Sequence, residues 1–136
     1  ATDNTDLWLR VSEDAGSTFK AGASDYKHNR QGVFNAGTAF AAGSEADTKI
    51  VIAVGVSSGA GRSFASTVSF NNPAGTAKQK YFRFDASYST NTPNHAFLAG
   101  GGVFLLDTNA INGIRFLMSS GNITSGNFAL YGLRKV

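Results

Sequence analysis

An all-β fold, an antiparallel β-sandwich or jelly roll of about eight strands, is the class this sequence predicts, and three observations predict it. Charged residues make up only 15% of the chain, against about a quarter in ordinary soluble domains. Gly occurs 16 times and Phe 11 times, a composition suited to short strands joined by tight turns. Alternating apolar runs bounded by Gly, Ser, Asn and Asp recur at roughly 8–12-residue spacing, without a credible long helix between them. The 136 residues suffice for a real core. They predict a single sandwich domain spanning 1–136, or the C-terminal module of a longer chain.

Taken in order, a polar leader, Ala1 to Asp6, precedes a strand in which Leu7, Leu9 and Val11 alternate with Trp8 and Arg10. Asp14-Ala15-Gly16 then supplies a tight turn, with Thr18 and Phe19 beginning the return. Asp25 to Phe34 has Tyr26 and Phe34 as apolar anchors, but Lys27 to Gln31 is too polar for burial, which predicts an edge strand or exposed turn. Ala36 to Asp47 reads as loop from its Ala and Gly content, one helical turn over Ala39 to Ala46 being the alternative. Thr48 to Val56 is the clearest central strand, apolar on both faces, and calls for cover from a second sheet on one side and a loop or neighbouring subunit on the other. Phe64 to Asn71 alternates again and is ended by Asn72-Pro73-Ala74-Gly75.

Lys80 to Ser89 sets Phe82, Phe84, Ala86 and Tyr88 against Tyr81, Arg83, Asp85 and Ser87. A turn carrying Pro93 leads to Phe97–Leu106, where Gly100-Gly101-Gly102 predicts a bulge or a close backbone approach. The chain closes on two more alternating runs, Ile111 to Met118 and Phe128 to Leu133, joined by Ser119 to Asn127. That pattern predicts a C-terminal hairpin with Ile114, Phe116, Met118, Phe128 and Leu130 in the core, and with Arg115, Tyr131, Arg134 and Lys135 turned towards a partner.

Several function classes are disfavoured. The net charge of +3 is mild and its basic residues are scattered, whereas nucleic-acid binders concentrate them on a stripe. No apolar run approaches the ~20 residues of a membrane span. With no cysteine, disulfides and thiolate metal sites are excluded, and no cofactor is implied. His28 and His95 lie far apart in polar stretches and read as solvated loop residues rather than metal ligands or a triad. Glycoside hydrolysis needs two facing carboxylates. The 9 acids fall mostly in turns, and Asp85, two residues from Arg83, reads as an exposed ion-pair partner. Ser57 to Arg62 lacks the Lys-Ser/Thr ending of a phosphate loop. Asn122-Ile123-Thr124 is formally a glycosylation sequon.

Two readings of the exposed aromatics stand side by side. Trp8, Tyr26, Tyr81 and Tyr131 occupy outward or edge positions in the predicted strands, where they suit either carbohydrate binding or cover by a subunit interface. Ser12-x-Asp14-x-Gly16-x-Thr18-Phe19 resembles the Asp-box, S-x-D-x-G-x-T-[WF], of sialidases and other carbohydrate-active β-proteins. In those proteins the box is a structural corner remote from catalysis, and its single occurrence here implies the same structural part.

Together, LWLRVSEDAGSTFKAGASDY (Leu7 to Tyr26) and INGIRFLMSSGNITSGNFALYGLRKV (Ile111 to Val136) resemble a β-sandwich family common in tailed bacteriophages and prophages. Its members carry LRVSxDGGSTxxxGASDY early and IRxxxSSGNxxSGxxxLYGL at the close. The resemblance implies a non-enzymatic structural protein on the virion surface. A fibre or spike module that attaches to host glycan comes first, and a cement or decoration protein of the phage head is the alternative. The implied partners are other copies of the chain in a trimer or other symmetric homo-oligomer, other virion proteins and host surface polysaccharide, not nucleic acid or membrane. Family members are expected to have a further strand before the LRVS segment; the short leader here implies that it lies upstream or comes from a neighbouring chain.

Overall fold

Runs with a side-chain period of two bury one face when paired as strands, and this chain forms such pairs along most of its length. The computed structural model describes residues 3–35, 37–91, 94–105 and 108–132, and those residues contain eight strands and no helix. The strands are β1 (Thr5–Ser12), β2 (Tyr26–Phe34), β3 (Thr38–Asp47), β4 (Ile50–Val56), β5 (Phe64–Phe70), β6 (Lys80–Ser89), β7 (His95–Phe104) and β8 (Gly113–Met118). They form a three-stranded sheet of order β4-β1-β8 and a five-stranded sheet of order β3-β2-β7-β6-β5. Every pairing is antiparallel. The predicted β-sandwich is therefore the fold.

The core lies where the inner faces meet: Leu7, Leu9 and Val11 of β1 and Ile50 and Ile52 of β4 pack against Phe82, Phe84 and Ala86 of β6 and Leu98 and Phe104 of β7. Full burial of one such large side chain is worth about 1.5–3 kcal/mol. Lys80 is buried among them, its ammonium donating to the carbonyls of Lys78 (2.8 Å) and Thr108 (2.9 Å).

Three expectations are corrected, and a fourth is decided between its two alternatives. Ala36 to Asp47 is not a loop or helical turn: its described residues from Thr38 form β3, an edge strand paired with β2 from Phe34↔Thr38 to Tyr26↔Asp47. Backbone pairing overrides the weak strand preference of Ala and Gly. β2 is accordingly an inner strand, flanked by β3 and β7. Its polar middle is accommodated because Asn29 and Gln31 point outward while inward-facing His28 finds a half-buried partner in Asp47. The Gly100-Gly101-Gly102 step contains no bulge, since β7 pairs with β2 and β6 without a register shift. Close approach is what the glycines allow: a Cβ on Gly100 would lie 2.6 Å from the Phe84 ring.

The C-terminal hairpin does not form. β8 pairs with β1, and the described part of the second run is not a strand. Phe128 and Leu130 are 68% and 84% exposed rather than core, although Ile114, Phe116 and Met118 do pack against the core. Ser119 ends β8 by hydrogen-bonding Asp6, its N–H to the Asp6 carbonyl and its Oγ accepting from the Asp6 N–H, both at 2.9 Å. The tail is thereby directed away from the strand it was expected to pair with. Leu133, Arg134 and Lys135 lie outside the described residues.

Two tyrosines of the larger sheet tie the sheets together. The β1–β4 register shifts between Thr5 and Trp8, so Val54 falls between the paired residues Ala53 and Val56. The Tyr88 hydroxyl accepts from Val54 N–H (3.2 Å) and donates to its carbonyl (2.8 Å). Asp6 Oδ1 accepts from the neighbouring Gly55 N–H at 3.1 Å. Beyond the end of the β1–β4 ladder, the Tyr26 hydroxyl accepts from Val11 N–H and donates to the Lys20 carbonyl, each at 3.0 Å. Burial pushes both phenols up to about 12, against the lowering effect of these backbone contacts. Tyr88→Phe, which leaves two backbone groups of Val54 unsatisfied, is expected to cost about 1–3 kcal/mol in urea unfolding. An unchanged midpoint would show that the bulge does not rely on the hydroxyl.

Candidate functional site

The side chains of β2, β7 and β6 alternate, so the outer face of the five-stranded sheet is assembled from residues far apart in sequence. Two of the rows that cross it line its middle. One runs Ser69, Arg83, Gly101, Asn29, Gly43, and the next runs Thr67, Asp85, Ala99, Gln31, Ala41. The central strand contributes only Gly101 and Ala99, and the flanking strands contribute hydrogen-bonding groups. The result is an open trough of about 810 Å³, floored by small residues and walled by Asn29 and Gln31 on one side and Arg83 and Asp85 on the other. The walls stand two strands apart, roughly 10 Å. The Asn29 carboxamide lies over β3 where a Cβ on Gly43 would collide with it.

Apolar side chains mark the two ends of this face. Tyr81 (56% exposed) and Val103 pair at one end, with Lys27 beside them in an ion pair to Glu45 at 2.8 Å. At the other end Phe97 pairs with Val33, and both are exposed. Tyr81 and Phe97 lie about 20 Å apart along the strands, from a rise of ~3.4 Å per residue. Arg83 and Asp85 share the face, but no ion pair within 4.0 Å joins them, which corrects the expected pairing. Residues i and i+2 of an extended strand are ~7 Å apart, so both heads remain available to a ligand.

The four aromatic candidates do not converge. Tyr81 is on the trough face. Tyr26 is fully buried, not outward, because its position on β2 faces the core and its hydroxyl serves Val11 and Lys20. Trp8 lies on the outer side of the smaller sheet, half-buried, with the Lys49 ammonium 4.8 Å over its ring and no hydrogen-bond partner for its indole N–H. Tyr131 is 85% exposed on the tail. Asn29, Gln31, Thr67 and Ser69 were not singled out from the sequence, and Arg83 was read there only as an ion-pair partner of Asp85. Their signal was the run of polar residues at alternate positions, and the strand order that brings them together is not written in any one run.

Ser12, Asp14, Gly16, Thr18 and Phe19 form a self-contained corner. Ser12 Oγ donates to Asp14 Oδ1 (2.6 Å) and accepts from Gly16 N–H (2.9 Å), while Thr18 N–H donates to Asp14 Oδ1 (2.8 Å) and Thr18 Oγ1 to Asp14 Oδ2. The hydrogen bonds from Ser12 and Thr18 hold the Asp14 carboxyl down at about 2. Asn112 clasps the turn from the start of β8, accepting from Ala15 N–H (2.8 Å) and donating to the Glu13 carbonyl (2.9 Å). The Phe19 ring lies under the Arg115 guanidinium at 5.6 Å. The polar groups of the corner are thus answered by the chain itself. In the same way Asp3 Oδ1 accepts from Ser57 Oγ and Ser58 N–H, taking up donors of the glycine-rich loop.

His28, read from sequence as a solvated loop residue, is 3% exposed. Its Nε2 lies 3.1 Å from Asp47 Oδ2, and Arg30 Nη1 lies 3.4 Å from its Nδ1. A guanidinium can only donate, so Nδ1 accepts and the proton sits on Nε2, facing the carboxylate. Burial lowers the His28 pKa, outweighing the hydrogen bond to Asp47, and the Arg30 charge adds to the lowering. Burial alone would raise Asp47, yet hydrogen bonds from Lys49, His28 and Thr48 N–H leave it lowered. His95, by contrast, is exposed at the start of β7. Among the described residues no three His, Asp or Glu side chains are placed to share a metal ion.

Comparison with protein-family models, curated proteins and solved structures gives no match to this chain. Its function is therefore argued from the trough and from its own motifs.

The His28 cluster has a pH signature. Because the folded state holds the imidazole neutral, its contribution to stability is complete above the ordinary value of 6.5 and is lost as pH falls from there through the folded pKa. Unfolding free energy is expected to decline across that window, with a slope from this one group that cannot exceed ~1.4 kcal/mol per pH unit. His28→Gln, which keeps a donor for Asp47, should flatten it. An equal slope in the variant would assign the titration elsewhere.

Proposed function

We propose that this chain is a non-enzymatic attachment module, a fibre or spike domain on the surface of a tailed phage, which holds a neutral host glycan in the trough of its five-stranded sheet. The observation that carries the reading is the pair of rows around Gly101 and Ala99. The β2 wall carries two planar amides and the β6 wall one cation and one anion, on either side of a floor without side-chain bulk. Asn29 and Gln31 offer both donors and acceptors, Arg83 a fork of donors and Asp85 acceptors, the set that recognises vicinal hydroxyl groups. One positive and one negative side chain in the walls match a neutral chain better than a polyanion. Tyr81 and Phe97 provide apolar faces at the two ends.

The phage setting draws its support from the resemblance at the two ends of the chain. The non-enzymatic reading is supported by the acid count of the trough, where Asp85 is the carboxylate lining it and hydrolysis of a glycoside by the usual route needs two. A head-decoration role is the second reading. It is favoured by the exposed apolar side chains Phe128, Leu130 and Tyr131, which a particle surface would cover.

A neutral-glycan array and host-cell binding test the first reading. The parent chain is expected to bind saturably, and Asn29→Ala and Arg83→Ala to weaken binding about tenfold or more with unchanged unfolding midpoints, given the exposure of both side chains. A parent that binds no neutral glycan, or variants that bind as it does, would refute it.

A further inference from the structure

The sandwich gapes along one side. β5 and β8 are both edge strands, with β6 and β1 as their respective neighbours. Their inward side chains border a groove of about 750 Å³ that the tail, Ile123 to Leu130, also lines. Val68 and Phe70 of β5 face Ile114 and Met118 of β8 across it, and these four are only partly buried. Both sides of the groove end in strand edges that present unpaired backbone groups.

The tail that passes this groove does not fill it. It is anchored at Ser119 by the Asp6 contacts, and the Phe128 ring stacks on Phe116 with centroids 5.7 Å apart. Beyond that point Leu130 and Tyr131 project into solvent, 84% and 85% exposed. They belong to an alternating run with the sequence character of a strand, Phe128 to Leu133, yet the described residues of that run pair with no other strand. One molecule therefore presents an apolar socket with two open strand edges and, beside it, an apolar strand-competent plug.

We propose that the plug of one copy seats in the socket of a second copy, adding its backbone to an open edge, with Leu130 turned inward between β5 and β8 and Tyr131, on the opposite face of the added strand, lying against the second copy's outer surface. Because each copy carries both parts, exchange satisfies every plug in a closed symmetric assembly. The area is adequate. An aromatic side chain buries ~150–250 Å², so Tyr131 and Leu130, on the two faces of the added strand, with the surface each covers on the second copy give roughly 600–800 Å² per plug. Two reciprocal plugs reach about 1,200–1,600 Å², within the range of stable interfaces. The inference stands apart from the glycan reading, since the trough is on the opposite face of the five-stranded sheet.

The test uses the full chain, whose lack of cysteine lets engineered thiols report alone. Light scattering is expected to give an integer multiple of the chain mass for the parent. Leu130→Asp/Tyr131→Asp should raise the dissociation constant roughly 100-fold or more and leave the unfolding midpoint of the monomer unchanged. Mild oxidation of an equal mixture of Ser66→Cys and Leu130→Cys chains should yield a cross-linked pair. Three outcomes would overturn the proposal: a monomeric parent, an assembly that survives the double aspartate variant, or a chain bearing both cysteines that closes on itself as a monomer.

Discussion

The relation between the two sheets depends on the tyrosine hydroxyls that cross from one to the other. Apolar contact between inner faces is strong but has no direction, and by itself would let the smaller sheet slide over the larger. Tyr88 removes that freedom, because its hydroxyl meets both the N–H and the carbonyl of Val54 where the β1–β4 ladder skips. Tyr26 does the same at the far end of β1 through Val11 and Lys20. They stand on β6 and β2, the two neighbours of β7, so the struts straddle the strand whose small residues shape the outer trough. Irregularity in one sheet and register in the other are thus one structural fact.

Much of this was legible because burial follows side-chain alternation. The runs at Leu7, Phe82 and Ile114 show their period directly, and each is a strand with the expected face inward, while the doubly apolar run at Ile50 is a strand whose residues from Ile50 to Ala53 are all buried. No comparable apolar alternation runs through the segment that forms β3, Thr38–Asp47. Its Ala and Gly residues carry little intrinsic preference, and its strand state comes from the open side of β2. The converse holds at Phe128 to Leu133, where the period is clear but neither β8 nor any other described strand pairs with the described part of the run. Period reports what a segment is able to do, whereas pairing depends on an edge being within reach.

The candidate site was less legible for a related reason. Arg83 and Asp85 were visible as outward residues of one strand, but their meaning depends on Asn29 and Gln31 facing them across Gly101 and Ala99. That arrangement requires β2 and β6 to flank β7, a consequence of strand order rather than of local pattern. The aromatic positions pointed instead to Trp8 and Tyr26, whose rings are engaged by Lys49 and by the core. The triple glycine carried the better clue. Gly101 and Gly100 lie on opposite faces of β7, so one lowers the floor of the trough while the other admits the Phe84 ring beneath it.

The sandwich consequently separates its two unsatisfied surfaces. The trough lies on the outer face of the five-stranded sheet, and the apolar groove opens between the sheets at the β5 and β8 edges. β5 borders both, with Thr67 and Ser69 turned to the trough and Val68 and Phe70 to the groove. Alternation along this single strand keeps a polar contact and an apolar contact on opposite sides of one backbone. A copy seated against Val68 and Phe70 leaves Thr67 and Ser69 on the outer face, so assembly through the groove would array the troughs rather than cover them. If the troughs hold glycan as proposed, several weak contacts on one symmetric particle would act together, with a combined strength above that of any single trough.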